Sequence, residues 1–436
     1  MSTSAYLEDV NAATQRKDEP RWLRELRARG AAHFARVGFP TTRDEDWKYT
    51  SAAPIAELDV RAIQEPGGEV IAAQLEPYTF GQSDWTTLVF VNGRYDSELS
   101  TGGAPAAGVR VLPLGEAREE MPEVVEGLRG SICTVEQSAF VALNAALHSD
   151  GAVIHLARDA YAAQPIHLLF VSDALSAKGA SHPRILIVAE PNAKATVIES
   201  YVALGEATYL TNSVTEISLG DGATIAHYKI QRESPRAYHV ATVDARQGRD
   251  SHFVSFSFAT GAALSRTNIW TVLGGEGCGA TLNGLYMADG EQHVDHQTRI
   301  EHQKESCYSR EVYRGVLDGT AHGVFNGKVY VHPEAQKTDG KQENHTLLLS
   351  PRAVIDTKPQ LEIFADDVKC THGATVGRLD DNAMFYLNSR GIGPDAARTL
   401  LTYAFAADVL EMIELEPLKH ALEAMVLARF SEPVTD

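Results

Sequence analysis

Short runs of apolar and β-branched residues dominate the middle of the chain. From about Asp150 to about Asp380 these runs are five to eight residues long, and Gly, Pro, Asn and Asp separate them. Helical periodicity is nearly absent there. Short runs of this composition, bounded by turn-forming residues, predict β-strands. Typical runs are AVIHL, PIHLLFV, RILIVA, ATVIES and GVFNGKVYV.

The points at which turns pass into strands recur at nearly even spacing. They are separated by 29, 28, 29 and 28 residues, at Ala193, Gly222, Asp250, Gly279 and Cys307. Antiparallel meanders can also be evenly spaced, so the period alone leaves the topology open. Few two-residue Asn-Gly or Asp-Gly loops are present, which disfavours hairpins. We therefore predict a mainly β fold built around a parallel β-helix, a solenoid whose coils bury their inward side chains on one another.

Helical patterns flank this unit. Near the N-terminus, Trp22, Leu26 and Phe34 recur roughly at helical spacing, although Gly30 weakens the middle of the run. The sequence predicts a mainly helical N-terminal domain over residues 1–149, a β-helix core over 150–385 and a helical C-terminal domain over 386–436. A solenoid needs a cap at each end, and we expect the flanking helices to supply both caps.

The C-terminal domain is predicted to hold two helices, the second of which begins after Pro417. The first has an apolar stripe that is expected to pack locally. The opposite face is polar and is expected to be free to meet a partner. The stripe comprises Leu400, Leu401, Phe405 and Val409, and the polar face comprises Arg398, Thr402 and Asp408.

Charge narrows the classes of function. The 39 Lys and Arg residues against 58 Asp and Glu residues give a formal net charge of −19 over 436 residues. A nucleic acid or an anionic membrane surface binds best to a basic protein surface, so neither is expected as a partner.

No apolar run reaches the ~18 residues of a membrane span, and the N-terminus lacks the layout of a signal peptide. We expect a cytoplasmic protein.

Histidine is concentrated late in the chain. Seven of the 16 histidines fall between residues 293 and 372. In the run HVDHQTRIEH, His293 and Asp295 are two residues apart on a strand and share a face, so this run with His296, Glu301 and His302 is a candidate transition-metal site. We favour the alternative, in which these are exposed polar residues on the outer face of a solenoid strand.

The most specific local feature is ADDVKCTHGATVGRLD, residues Ala365 to Asp380. On a strand, Cys370 and His372 point to the same side while Thr371 faces away. A thiolate and a neutral imidazole suit iron, zinc and sulfur chemistry. Two ligands do not complete a tetrahedral site, so either the pair is structural or another chain supplies the remaining ligands.

Other motifs give no catalytic assignment. The four cysteines are far apart with no CxxC pair, which disfavours a disulfide framework or a zinc finger. The remaining three, Cys133, Cys278 and Cys307, are expected to be buried small apolar residues. The segment from His322 to Tyr330 lacks the spacing of a P-loop, so the chain is not expected to hydrolyse ATP by itself.

Three segments together resemble the SufB/SufD family of iron-sulfur cluster assembly proteins. They are DEDWKYT at Asp44 to Thr50, FADDVKCTHGATVG at Phe364 to Gly377 and YLNSRGIGPDAARTLLTYAFAADVLE at Tyr386 to Glu411. The N-terminal GFPTTRDEDWKYT and the length of 436 residues are similar to the SufD branch. The resemblance runs through the whole chain in order.

The resemblance implies a right-handed parallel β-helix with helical flanks and a non-catalytic scaffold role. It implies a SufB-like partner bound through the end of the β-helix, and a SufC-like ABC ATPase bound through the C-terminal helices. It places His372 at the interface with the SufB-like subunit, with Cys370 as the neighbouring thiol, where a transient iron-sulfur cluster is built. No resident metal is implied for the isolated chain, and flavin binding is left open.

Two other functions remain open on the residues alone. One is a carbohydrate-active β-helix enzyme, which needs paired acids that the spacing does not identify. The other is a metal-dependent enzyme that uses the histidines of residues 293–302. A stoichiometric divalent ion in the isolated chain favours the enzyme, whereas iron acquired only with partners favours the scaffold.

Overall fold

The computed structural model describes residues 2–63, 70–102, 106–128, 130–173 and 177–431. Its α-helices are α1 Ser2–Thr14, α2 Arg21–Val37, α3 Ala53–Ala56, α4 Ala72–Leu75, α5 Leu114–Glu120, α6 Pro122–Leu128, α7 Ala139–Leu147, α8 Asp381–Ser389, α9 Pro394–Leu410 and α10 Glu416–Ser431. Short 3₁₀ turns lie at Glu45–Trp47 and Glu76–Tyr78.

The strands in the first half are β1 Arg61–Ala62, β2 Thr86–Val91, β3 Arg94–Thr101, β4 Val109–Pro113, β5 Ala152–Leu156, β6 Ile166–Ser172, β7 Gly179–Ser181, β8 Arg184–Ala189, β9 Lys194–Ala203, β10 Leu210–Leu219 and β11 Thr224–Glu233. Those in the second half are β12 Tyr238–Gln247, β13 His252–Gly261, β14 Leu264–Leu273, β15 Gly279–Ala288, β16 His293–His302, β17 Tyr308–Leu317, β18 His322–Val331, β19 Thr338–Leu348, β20 Val354–Ile363 and β21 Val368–Gly377.

Two sheets face each other along the solenoid. Sheet A has the order β20-β18-β16-β14-β12-β10-β8-β5-β4, and sheet B the order β21-β19-β17-β15-β13-β11-β9-β6-β2-β3. From β8 onward, consecutive strands of the chain alternate between the sheets, and each pairs in parallel with the strand two positions on. The mainly β fold with a parallel solenoid is therefore confirmed, as are its helical flanks.

Strand register explains the repeat seen in the sequence. Thr224 pairs with Lys194 in one neighbouring coil and with His252 in the other, spacings of 30 and 28 residues. Each coil contributes one strand to each sheet, so a full coil takes about 28 to 31 residues, close to the sequence period, and a half coil about half of that. Alternate side chains point inward and form one continuous apolar cluster along the axis.

The N-terminal segment contributes strands as well as helices. Strands β2, β3 and β4 lie within residues 1–149, where the sequence predicts mainly helix. Strand β2 pairs in parallel with β6, while β3 and β4 add antiparallel strands to sheets B and A. These antiparallel strands end the sheets at the N-terminal end of the solenoid.

The flanking helices pack along the sides of the solenoid and not only at its ends. Helices α1, α2 and α7 cover outward side chains of sheet A, such as Leu210 and Val240. Helices α9 and α10 cover outward side chains of sheet B, such as Phe256 and Leu285. The expectation that the helices act as end caps is therefore incomplete, because both sheets have apolar outer faces that also need cover.

Close packing of α2 on α7 depends on Gly30. A Cβ atom at this position would lie 2.6 Å from the carbonyl oxygen of Ala142 and 2.9 Å from the amide nitrogen of Ala146. The glycine that weakens the helical pattern in the sequence is thus the residue that lets two helix backbones approach.

Within the described residues, no helix combines the length and the apolar character needed to cross a membrane.

Candidate functional site

The C-terminal end of the solenoid has open sheet edges. In the described part of the chain, β20 pairs only with β18 and β21 pairs only with β19. Each of these ten-residue strands therefore presents one row of backbone groups without a strand partner. Long edges of this kind are templates for pairing with another chain unless a protein covers them.

Exposed apolar side chains accumulate on the same terminal coil. Four large ones lie between residues 354 and 376, at Val354, Ile363, Phe364 and Val376. The inward-facing Ile355 and Leu361 are only partly buried, although they pack against the central core cluster. Contiguous apolar surface beside open strand edges is typical of a protein interface. We call this surface, formed by β20 and β21, the terminal face.

Cys370 and His372 both lie on the terminal face. Cys370 is half-buried, packs against the inner core and pairs in register with Gly340. His372 is exposed and pairs in register with Gln342, whose side chain points into the solenoid. The structure thus brings the two predicted residues together on the inner side of the last strand, where the solenoid interior opens to solvent.

Burial of the sulfur raises the pKa of Cys370 above its ordinary value, and the nearby Asp339 carboxylate adds to the effect. The backbone of Gly340 opposes it by hydrogen bonding. A thiolate is the form that ligates metals. Cys370 is therefore a thiol in the free chain, and metal binding at this sulfur is coupled to release of its proton.

Sequence reasoning missed two buried polar residues behind His372. Gln342 donates a hydrogen bond from Nε2 to Oε2 of Glu311 at 2.6 Å, and both residues are almost fully buried. Burial raises the pKa of Glu311 to about 7. His372, Gln342 and Glu311 occupy one column through three coils. Spacings of 30 and 31 residues, close to the repeat, are the signal that links them in the sequence.

These residues do not by themselves make a metal centre. Among the described residues, no group of three or more His, Cys, Asp or Glu side chains is placed to hold a metal ion. Cys370 and His372 supply two ligands of the soft and borderline types that iron accepts. Any further ligands at the terminal face have to come from outside these residues.

The histidines of residues 293–302 occupy two different places. His293 and Asp295 share the outer face of sheet A, as their spacing predicts, and the Thr50 hydroxyl lies within 2.9 Å of His293 Nε2 and 2.6 Å of Asp295 Oδ2. The favoured expectation that this run is exposed is wrong, because the N-terminal segment covers it. Asp295 is fully buried and accepts a hydrogen bond from Arg266 Nη1 at 2.6 Å.

This contact also explains the DEDWKYT motif. The Arg266 guanidinium lies 3.9 Å from the ring centroid of Trp47, and Thr50 of the same motif bonds to Asp295. The motif anchors the N-terminal segment to the solenoid. Because Arg266 already pairs with the Asp295 carboxylate, the geometry disfavours a cation site there.

His296 and His302 instead point into the solenoid. His296 stacks on Tyr286 and its Nε2 lies 3.2 Å from Ser257 Oγ. His302 Nε2 lies 3.0 Å from Ser309 Oγ. Burial lowers the pKa of His296 to about 3 and that of His302 to about 4. Both imidazoles are neutral core groups, on the opposite side of the strand from Asp295.

We expect His302→Gln to weaken the loss of stability at acid pH. The unfolded chain protonates His302 near its ordinary pKa of 6.5, whereas the folded chain resists protonation until about pH 4. The wild type therefore loses stability as pH falls between these values, by up to about 1.4 kcal/mol per pH unit from this group. Urea denaturation of both proteins from pH 8 to pH 4.5 measures the effect. If the difference in free energy of unfolding between the two proteins stays constant below pH 6.5, the prediction is wrong.

Cys133, Cys278 and Cys307 are all buried, as predicted. Cys133 packs with Val141 and Val214 in a small apolar cluster beneath the N-terminal helices. Burial raises its pKa well above the ordinary value, so it behaves as a small apolar residue. Cys278 and Cys307 lie close to one another in adjacent coils.

The predicted faces of α9 are rotated in the structure. Thr402 is fully buried, and Arg398 bonds to Asp318 Oδ2 at 3.1 Å, so neither belongs to a free polar face. Asp408 pairs with Arg314 of the solenoid. Leu400, predicted to pack, is exposed. Helix α9 faces sheet B because Ala406, Val409 and Leu410 of the helix pack on the apolar outer face of that sheet.

Exposed apolar residues mark α8 and the start of α9. Phe385 and Tyr386 on α8 are largely exposed, as is Leu400 on α9. The two helices contact each other. We call Phe385, Tyr386 and Leu400 the helical patch.

Comparison with known proteins agrees with this architecture. The family model described as "SUF system FeS cluster assembly, SufBD core domain" matches residues 170–405, and the "SufBD protein N-terminal region" matches residues 4–168. The iron-sulfur cluster assembly protein SufD of Escherichia coli is 35% identical over 399 residues, covering 91% of this chain and 90% of the relative. SufD of Bacillus subtilis is 26% identical over 435 residues, covering 96% of each chain.

An iron-sulfur cluster assembly SufBD family protein of Synechocystis is 34% identical over 399 residues, covering 89% of this chain and 87% of the relative. The core match alone spans more than half of the chain. The similarity covers both the N-terminal segment that anchors through Thr50 and the solenoid that carries Cys370 and His372. The chain therefore belongs to the SufBD family of the SUF iron-sulfur cluster assembly system.

Proposed function

We propose that this chain is a non-catalytic scaffold subunit of a cytoplasmic SUF complex. It pairs with a SufB-like subunit through the terminal face, and a SufC-like ABC ATPase docks on its C-terminal helices. The cargo is a nascent iron-sulfur cluster, held between the two solenoids by Cys370, His372 and ligands of the partner. The single observation that carries this proposal is the position of Cys370 and His372 on an uncovered sheet edge.

The terminal face supports pairing with a second solenoid. A solenoid buries each coil on its neighbours, so a last coil without a cap exposes apolar surface and unpaired backbone groups. At the N-terminal end the antiparallel strands β3 and β4 finish the sheets, whereas β20 and β21 have no such strands beside them in the described residues. A partner of the same architecture supplies matching strands.

The chemistry of the pair fits transient binding of a cluster. The raised pKa of Cys370 keeps the thiol protonated in the free chain, so binding of iron has to displace that proton. Separation of the two chains removes part of the ligand set. A site shared between subunits can therefore release its cargo when the subunits move.

ATP hydrolysis is assigned to the partner. The segment from His322 to Tyr330, which lacks the spacing of a P-loop, lies within strand β18, and its Lys328 pairs with Glu362 at 2.6 Å. A phosphate-binding loop needs a turn whose backbone N–H groups converge. The helical patch supports a docking site for the ATPase, because three large apolar side chains are exposed there.

Co-purification tests the proposed complex. The tagged chain is expressed in its native host together with the genes that neighbour it. The proteins that co-purify with the chain are identified by mass spectrometry. Recovery of a SufB-like and an ABC-ATPase-like protein supports the scaffold. Recovery of the chain alone, with a stoichiometric divalent ion, favours a metal-dependent enzyme and rejects the proposal.

We expect Tyr386→Ser to weaken ATPase retention by about tenfold while leaving the SufB-like subunit bound. Tyrosine is enriched among the interface residues whose truncation costs more than about 1 kcal/mol, and about 1.4 kcal/mol is tenfold in affinity. Tyr161→Ser is the matched control, since Tyr161 is 62% exposed and Tyr386 is 57% exposed. Titration of each purified variant with the ATPase measures the change. Equal affinity for both variants would move the docking surface away from α8.

Point variants are needed to locate the ATPase docking surface, because deletion of the C-terminal helices would give an ambiguous result. The sequence alone suggests that removing residues 391–436 leaves the solenoid folded. In the structure this segment covers Phe256, Leu285 and Val316 on the outer face of sheet B. Its loss would expose that apolar face, so lost binding after deletion would not identify a docking surface.

A further inference from the structure

Two cysteines that the proposed site does not use lie one above the other in the solenoid. Cys278 immediately precedes β15 and Cys307 immediately precedes β17, and these strands pair in parallel with Gly279 opposite Tyr308. The backbone N–H of Tyr308 donates to the carbonyl of Cys278 at 3.0 Å. Neighbouring strands lie about 4.8 Å apart, within the Cα separation of about 4.4 to 6.8 Å that a disulfide requires.

The two sulfur atoms occupy the same small space. The sulfur of Cys278 lies 3.1 Å from the carbonyl oxygen of Gly275, and the sulfur of Cys307 lies 3.3 Å from the same oxygen. Cys278 also lies 2.9 Å from the carbonyl oxygen of Gly248. Both side chains therefore point to the same carbonyl oxygen of the corner, and the two thiols are hydrogen-bonded to each other.

The two thiols differ in acidity. The hydrogen bond with Cys307 is the largest cause that lowers the pKa of Cys278 to about 7, with further help from the Gly275 backbone and Ser251. The same contact raises the pKa of Cys307. At neutral pH Cys278 is therefore present in part as a thiolate, which is the nucleophilic form, while Cys307 remains a thiol.

The pair lies directly beneath the surface. Gly277 and Ser306 have left-handed backbones, with φ of 70° and 61°, and each turns the chain so that the following cysteine is covered. The adjacent Glu276 and Glu305 are exposed. The cysteines themselves are buried, and the residues just before them in the chain are exposed.

We propose that Cys278 and Cys307 form a peroxide-sensitive dithiol whose oxidation links two neighbouring coils by a disulfide. The Cys278 thiolate attacks one oxygen of hydrogen peroxide, the O–O bond breaks, and hydroxide leaves and takes a proton to become water. The sulfenic acid on Cys278 is then attacked by the Cys307 sulfur. The S–O bond breaks, a second water leaves, and the S–S bond forms. The two thiols lose two electrons in total, and the peroxide gains them.

The reversible pair protects both sulfurs from irreversible oxidation. A sulfenic acid without a neighbouring thiol proceeds to sulfinic and sulfonic acids, whereas one beside a thiol condenses to a disulfide that reductants restore. Cys133 and Cys370 have no such thiol neighbour on the described residues, which makes them internal controls. The proposal does not depend on the assignment of the cluster site.

Peptide mapping of the full chain tests the proposal. The reduced protein is treated with hydrogen peroxide, blocked with an alkylating reagent and digested with trypsin without reductant. Cleavage after Arg266, Arg299, Lys304 and Arg310 puts Cys278 and Cys307 in separate peptides, 267–299 and 305–310. We expect these two peptides to appear joined, lighter by two hydrogens than their sum, and to separate on reduction. A thiol assay of the denatured protein should detect two free thiols after peroxide treatment, against four in the reduced protein.

Variants supply the controls. Cys133→Ser and Cys370→Ser should still form the linked peptides, whereas Cys278→Ser and Cys307→Ser should not. Because the wild-type map needs no substitution, a variant that folds poorly does not weaken the test. Peroxide that oxidises Cys370 while peptides 267–299 and 305–310 stay reduced and separate would overturn the proposal. So would sulfonic acid on Cys278 with no linked peptide at any peroxide concentration.

Discussion

His372→Ala is expected to lower the yield of iron-sulfur cluster in the co-expressed complex about tenfold or more, with little change in melting temperature. The imidazole is exposed on the terminal face, so its removal leaves no core cavity. What it removes is one of two candidate ligands from this chain, and loss of a group that holds or orients a metal typically costs 10- to about 100-fold in affinity.

The adjacent residue is the matched control. Thr371 is exposed on the same strand but faces the other side, so Thr371→Ala should leave cluster yield unchanged. Cys370→Ser is expected to have a smaller effect than His372→Ala if the thiol is only a neighbour of the cluster. Iron content and visible absorbance of the purified complexes, beside melting curves, provide the measurements.

Two outcomes would count against the assignment of His372. One is a wild-type cluster yield from the His372→Ala complex. The other is a loss of cluster that follows a loss of folded protein or a loss of the SufB-like subunit, because a structural role would explain both.

Arg184→Ala is expected to reduce the free energy of unfolding by about 3 to 5 kcal/mol, the range for removing one partner of a buried ion pair. The Arg184 guanidinium donates to Glu216 Oε1 at 2.6 Å and to Asn144 Oδ1 at 3.0 Å. Glu216 is 1% exposed, so truncation of its partner leaves a carboxylate away from water.

This ion pair joins the solenoid to the N-terminal segment. Glu216 also accepts backbone hydrogen bonds from Ile132 and Cys133, and Asn144 lies on α7. Urea denaturation at neutral pH measures the loss. Arg61→Ala is the control, because its ion pair with Glu8 is exposed and should contribute less than about 1 kcal/mol. Equal losses in the two variants would show that the buried pair has no special role.

Local residue patterns predicted the solenoid and its period, because each coil repeats the same alternation of inward and outward side chains. The pairing of Cys370 with His372 on one side of β21 likewise follows from spacing, since alternate residues of a strand share a face. The resemblance to the family rested on three short segments, and the family models confirm it over residues 4–168 and 170–405.

Other features were decided only by the tertiary structure. The exposure expected for residues 293–302 failed because a segment about 245 residues earlier, at Thr50, covers Asp295. Helix α9 packs on the apolar outer face of sheet B through Phe405 and Val409 of the predicted stripe, whereas Leu400 of that stripe is exposed. Stacking of coils places Gln342 and Glu311 in one column with His372, and places Cys278 beside Cys307. Sequence periodicity determines which residues repeat, whereas the contacts between distant segments decide which of those residues are buried, paired or open to a partner.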